Sequence, residues 1–220
     1  SSDLTYGHTD ARLILRVGGS MGDVYGQRLL KRDLNGYILN EEGVGLTMEN
    51  KETYLGSILP KMNMGWSLGF GYKGVNLGMT FTGRFGGIVI SETQSVLDAA
   101  GVSKVSADVR DAGGVQINQG KVSAQTYYQA IQGTAAYYTY SATNVRLGEL
   151  SLSYTLPKKW FDNKVGMTVG LVGKNLWMIY CKAPFDPELT TSAASNFYQG
   201  FDAYMLPSTR NFGFNIKFQF

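Results

Sequence analysis

The sequence predicts an all-β chain that forms part of a large transmembrane β-barrel, with about six antiparallel strands and long loops. Three observations predict it. The composition is unusual: 28 of 220 residues are glycine, only 17% are charged and 13% are aromatic, whereas glycine ordinarily makes up about 7% and charged residues about 25%. With 44% hydrophobic residues, that mixture suits strands with one apolar and one polar face. The hydrophobic pattern repeats every two residues, the period of a strand. The connections between the strands alternate between short and long, as in barrels that keep short turns at one membrane face and long loops at the other.

The strands can be taken in chain order. A weak first one sets Leu13, Leu15 and Val17 against Arg12, Ile14 and Arg16. After a long connection, Trp66, Leu68, Phe70 and Tyr72 alternate with Ser67, Gly69, Gly71 and Lys73. Lys73-Gly74 then predicts a tight hairpin. It leads to Val75, Leu77, Met79, Phe81, Gly83 and Phe85, set against Asn76, Gly78, Thr80, Thr82 and Arg84. The connection from Ser91 to Asn144 is long, with a helix expected around Ser123 to Gln132. Leu150, Leu152, Tyr154 and Leu156 follow, opposite Glu149, Ser151, Ser153 and Thr155. A short turn, Pro157 to Lys164, brings in a strand from Val165 to Ile179, and the loop Cys181 to Thr209 is again long. The last strand carries Phe212, Phe214, Ile216, Phe218 and Phe220 on one face and Gly213, Asn215, Lys217 and Gln219 on the other.

The two faces have different chemistry. Ser, Thr, Asn, Gly, Lys and Arg suit a wet lumen, and the apolar face suits lipid. Tyr154, Trp160, Phe161, Trp177 and Tyr180 stand where interfacial aromatics would. Strands can span lipid only in a closed barrel, where every backbone group is paired. A soluble β-sandwich would also have apolar inner faces, but it does not usually keep its long loops at one end.

Other classes are excluded or unsupported. No apolar run approaches the roughly 18 residues of a membrane helix. One cysteine, Cys181, makes no internal disulfide, and one histidine, His8, supports neither a metal site nor a catalytic triad. Asp186 and Glu188 lack partners for catalysis, so no enzyme, cofactor or metal is expected. The net charge of +3 is scattered, which argues against nucleic acid as a partner. Asp33-Leu34-Asn35-Gly36 opens like a calcium loop, but its glycine comes two positions early. It reads as an Asn-Gly hairpin turn. The start, Ser1-Ser2-Asp3-Leu4, is not a signal peptide. Either a leader has been removed or the chain is an internal piece of a longer one.

The C-terminal strands carry a family resemblance. Asn144 to Pro157, NVRLGELSLSYTLP, resembles the "YLRLKNVTLGYTLP" hairpin of SusC/RagA-type TonB-dependent transporters. Gly173 to Trp177 resembles that family's "GRNLF", and Phe185 to Glu188 its "FDPE". Pro207 to Phe212 resembles "PQPRTF", Gly22 to Gly26 "GDIYG", and Tyr54 to Pro60 "LGNxxP". Ser57 stands where the family usually has Asn, Lys61 where Asp or Lys is common, and Cys181 has no counterpart.

The resemblance implies that residues 1–220 are the C-terminal segment of a 22-stranded outer-membrane barrel whose plug and TonB box lie outside this chain. It implies active import of oligosaccharides or peptides, energised by the TonB complex and shared with a SusD-like surface lipoprotein. Glycan is the expected cargo, because it is the commoner one of such transporters. A passive porin, an adhesin-type barrel and a soluble β-rich binding domain are the competing readings. The last strand must then end in the periplasm, with Phe218 and Phe220 as the assembly signal. Counting back places every long loop outside, so Phe197, Tyr198, Asp202 and Tyr204 are the expected contacts to substrate or lipoprotein.

Overall fold

Five strands form one antiparallel sheet in the order in which the chain makes them. They are β1 (Met62–Tyr72), β2 (Val75–Phe85), β3 (Asn144–Leu156), β4 (Gly166–Cys181) and β5 (Asn211–Gln219). The computed structural model describes residues 3–5, 9–42, 45–161, 165–189 and 199–219. These fall into two units. Residues 60–86, 142–186 and 207–220 make the sheet unit; residues 1–59, 87–141 and 187–206 make the other. The sheet is an up-and-down meander, the topology of a barrel wall and not of a Greek-key sandwich.

Its register sorts the side chains as the alternation requires. Phe70, Leu77, Leu152, Leu171 and Phe214 lie in one cross-strand row, and Leu68, Met79 and Leu150 are paired in the next. Phe218 pairs with Met167, Ile216 with Val169, and Val169 with Tyr154. Trp66, Phe70, Leu171 and Phe214 are each more than half exposed, at 63%, 57%, 58% and 63%, so this chain does not bury its own apolar face. Opposite them runs a polar row of Ser67, Thr80, Glu149, Lys174 and Asn211. There Ser67 and Thr80 hydroxyls are 3.1 Å apart and Lys174 Nζ lies 3.7 Å from Glu149. Thr155 and Thr168 make a second hydroxyl pair at 3.2 Å.

The β1–β2 hairpin is a two-residue turn with positive φ at both Lys73 (46°) and Gly74 (87°), the type I′ geometry that matches strand twist. On β3 and β4 the alternation slips. Opposite Leu147 to Glu149 the β4 partners jump from Trp177 to Lys174, and Asn175 takes a φ of 54°. The uninterrupted alternation expected from Val165 to Ile179 is therefore broken by a bulge, which increases local twist.

One expected wall strand is not part of this sheet. Only Arg12–Ile14 of that segment is extended, and it pairs with Asp23–Leu30 in the other unit. Leu13 and Ile14 are consecutive and both buried, while Leu15 and Val17 are exposed. Its apolar residues thus serve a two-sided core and not an alternating wall.

The second unit holds what the sequence shows as long connections. Asp3–Thr5, Arg12–Ile14, Asp23–Leu30 and Met48–Ser57 make a four-stranded sheet. Thr139–Ser141, Ile88–Ser91 and Phe201–Asp202 make another, the last pair parallel. Three helices follow the second of these strands: α1 (Glu92–Ala99), α2 (Lys104–Asp111) and α3 (Ala124–Ile131). Each begins at a serine that accepts a hydrogen bond from the third residue onward: Ser91 from Gln94, Ser103 from Ser106 and Ser123 from Thr126. Such caps satisfy an otherwise orphaned amide. Helix α3 stands where a helix was expected; α1 and α2 were not expected. Ala11, Val24, Ile58, Ile90 and Phe201 share one core, and Leu30, Ile38, Tyr128, Ile131 and Tyr138 another.

The Asp33 turn is a hairpin turn of a different type from the one expected. Gly36 N–H donates to Asp33 O at 3.0 Å, and glycine, not asparagine, has the positive φ (84°). Asp33 Oδ1 accepts from the amides of Asn35 and Tyr37.

Candidate functional site

The loop that follows β4 starts at a buried ion pair. Arg146, near the start of β3, donates to both carboxylate oxygens of Asp186, at 3.1 and 2.8 Å. The two side chains are 11% and 9% exposed. Asn144, fully buried, supports the guanidinium through Oδ1 and donates to Ala142 O. A guanidinium forks onto a carboxylate in one plane, so the pair fixes orientation as well as distance. Cys181 Sγ lies 3.5 and 3.6 Å from the carbonyl oxygens of Ala183 and Phe185, so the cysteine is a small filler of this turn. The sequence shows Asp186 only as an acid without a catalytic partner. Its partner, Arg146, lies 40 residues earlier in the chain and was not singled out from the sequence.

In the second unit the returning part of the same loop is threaded into a core. Phe201 is 2% exposed and pairs in parallel with Ile90. A Cβ on Gly200, whose φ is +78°, would sit 2.8 Å from Ile58 Cβ and 3.0 Å from Ile88 O. Asp202 is also buried, and its Oδ2 accepts from Ser91 Oγ at 2.6 Å. Ser91 in turn caps α1, so the carboxylate reinforces a helix N-terminus, where negative charge is favoured. Tyr204 is different. Its amide donates to Thr93 Oγ1 at 2.7 Å, its φ is 54°, and its side chain is 61% exposed. Of the four expected contacts, Tyr204 is presented to solvent and Asp202 supports the backbone that presents it. Phe197 and Tyr198 lie outside the described residues. So does Phe220, the last residue of the expected assembly signal; Phe218 is in β5 and half exposed.

Tyrosines gather in the connection that carries the helices. Tyr137 Oη accepts from Leu30 N–H at 3.1 Å, and the rings of Tyr127 and Tyr128 meet edge-on at 5.2 Å. Burial, and then the charge of Asp98, push the Tyr140 hydroxyl up to about 12. The same two causes, in the same order, raise Tyr138 further and also raise Tyr128. A cleft of about 420 Å³ opens beside Tyr128, between the end of α1, α2 and the start of α3. On the apolar face of the sheet a second depression lies among Val75, Leu152, Tyr154, Trp160 and Leu171. Among the described residues, no three of His, Cys, Asp or Glu converge to hold a metal ion, and no helix is long and apolar enough to cross a membrane.

Comparison with solved structures decides the fold. The RagAB peptide importer in its open-open state matches 90% of this chain with a TM-score of 0.61 and 20% identity. The chain folds like a stretch of that importer. The closed-closed state matches 97% of the chain with a TM-score of 0.57 and 17% identity, and a structure of the RagAB peptide transporter matches 89% with 0.57 and 19%. The chain spans only 23–25% of the length of these solved chains. No family model and no curated protein matches the sequence. At this identity the likeness concerns the backbone. It nevertheless agrees with an all-β meander that is one portion of a larger wall.

Proposed function

We propose that the chain is part of the barrel of an outer-membrane nutrient importer, a SusC-like TonB-dependent transporter that works with a SusD-like surface lipoprotein. The observation that carries this reading is the five-stranded meander itself. It leaves a continuous apolar face exposed on one side and a face of Ser, Thr, Gly, Asn and paired charges on the other. Large exposed apolar surfaces mark contact with a membrane or a partner. Here the alternation runs through all five strands apart from the bulge in β3 and β4, as lipid outside and water inside require. On this reading the chain carries nutrients and catalyses no reaction.

Oligopeptide is the cargo we favour over oligosaccharide, because solved structures of like fold include those of a peptide importer. The test is uptake of labelled oligopeptides and labelled oligosaccharides by cells with and without this protein, each with and without TonB. Peptide uptake should disappear equally on loss of either protein. Uptake that survives loss of TonB would return the passive porin, and loss of oligosaccharide uptake alone would overturn the choice of cargo.

A further inference from the structure

The last turn of α1 holds a buried carboxylate with no basic partner among the described residues. Asp98 is 5% exposed. It sits at the C-terminal end of a helix whose last turn has no basic residue, where the helix dipole already concentrates negative charge. Its Oδ1 accepts from Gln94 Nε2 at 2.7 Å. Among the described residues, no lysine, arginine or histidine lies within ion-pairing distance of it. A carboxylate so far removed from water normally has a counter-ion.

The carboxylate is not sealed in. It lines the 420 Å³ cleft together with Ser106, Arg110, Ser123, Gln125 and Tyr128. The nearest basic group of that lining, Arg110, is directed to Asp111 on its own helix at 3.7 Å and is mostly exposed. Tyr128, 6% exposed, adds an aromatic wall, and aromatic faces attract cations. Asp98 thus has one oxygen held by Gln94, an open cleft beside it and no cationic partner among the described residues.

We propose that this cleft binds a primary ammonium group of an oligopeptide, from its N-terminus or a lysine side chain, at Asp98 beside Tyr128. The inference rests on the peptide reading above and gives it a recognition site. An ammonium group supplies three donors and a full charge. It therefore satisfies Asp98 better than a sugar hydroxyl can.

The test uses the full-length protein, purified in detergent and titrated by calorimetry with three probes. These are pentaglycine amide, its N-acetylated form, and N-acetyl-tetraglycyl-lysine amide. Either or both ammonium-bearing probes should bind at least about tenfold more tightly than the acetylated peptide, the scale of one charge-assisted contact. Which of the two binds tells the N-terminus from the side chain. Asp98→Asn should abolish the difference, and Arg110→Glu, which adds negative charge at an exposed position, should enlarge it. Equal affinity for all three probes overturns the proposal. So does a difference that persists in folded Asp98→Asn. Should Asp98→Asn not fold, unchanged affinities in Arg110→Glu overturn it instead. Binding and uptake of peptides regardless of ammonium would refute the cleft and leave peptide import standing, whereas no binding and no uptake of any peptide would refute both.

Discussion

Arg146 and Asp186 show how much one pair can fix. Both side chains are nearly buried, and each satisfies the other. Removing one leaves an uncompensated buried charge, which costs about 3–5 kcal/mol. Arg146→Ala should lower thermal stability by that order. Arg146→Met combined with Asp186→Leu should lower it much less, and equal losses in the two variants would mean that packing, not charge, dominates. Tyr140 gives a pH prediction. Its hydroxyl is raised from 10.0 to about 12 by burial and then by Asp98. A raised folded-state value stabilises the protein below the unfolded value, and that stability is lost as pH rises through the folded one. Unfolding followed by tyrosinate absorbance should therefore grow easier between about pH 10 and 12, and Tyr140→Phe should flatten that dependence.

At the scale of elements, the β1–β2 hairpin is the part most tightly specified by local chemistry. Gly74 combines a φ of +87° with a site where a Cβ would lie 2.8 Å from Thr155 O on the neighbouring β3. Gly74→Ala should cost at least the 1–2 kcal/mol of a left-handed residue with a side chain, read as a lower midpoint in denaturant. Lys73→Gly at the same turn should cost far less. The hairpin was legible because the turn and the alternation on both sides agree; β3 to β5 were legible from their alternation alone, and the bulge in β3 and β4 was not. The short strand Arg12–Ile14 was misassigned because the apolar run Leu13-Ile14-Leu15 is too short to show whether its neighbours cover one face or two. Helices α1 and α2 went unseen because their apolar residues are few. Their only signals are serines three residues before another polar residue, Ser91 to Gln94 and Ser103 to Ser106. The ion pair at Asp186 and the buried position of Asp202 depend on partners 40 and 111 residues away, beyond the reach of any local pattern.

For the whole molecule, the sharpest consequence of the proposed setting is the unequal tolerance of adjacent residues to charge. Leu152 and Ser151 are neighbours on β3 but face opposite sides of the sheet. Leu152→Arg should destabilise the folded barrel in lipid by about 2–4 kcal/mol, and Ser151→Arg by much less, measured by unfolding from lipid vesicles. Similar losses would contradict a membrane on the apolar side. The aromatic bands fit the same picture. Tyr154 and the Val145–Tyr180 pair lie roughly 25–30 Å apart along β3 at about 3.3 Å per residue. The polar side of the sheet has a further consequence. Gly69, Gly78, Ser151, Val172 and Gly213 make one row across it, and Gly71, Asn76, Ser153, Gly170 and Asn215 the next. Several of these residues have no side chain, so the wall is thin on that side and its backbone lies close to whatever it encloses. A second polypeptide body could approach within hydrogen-bonding reach of the main chain there and slide along a surface with few protrusions. Bulkier residues would hold such a body at a distance and catch on it as it moved.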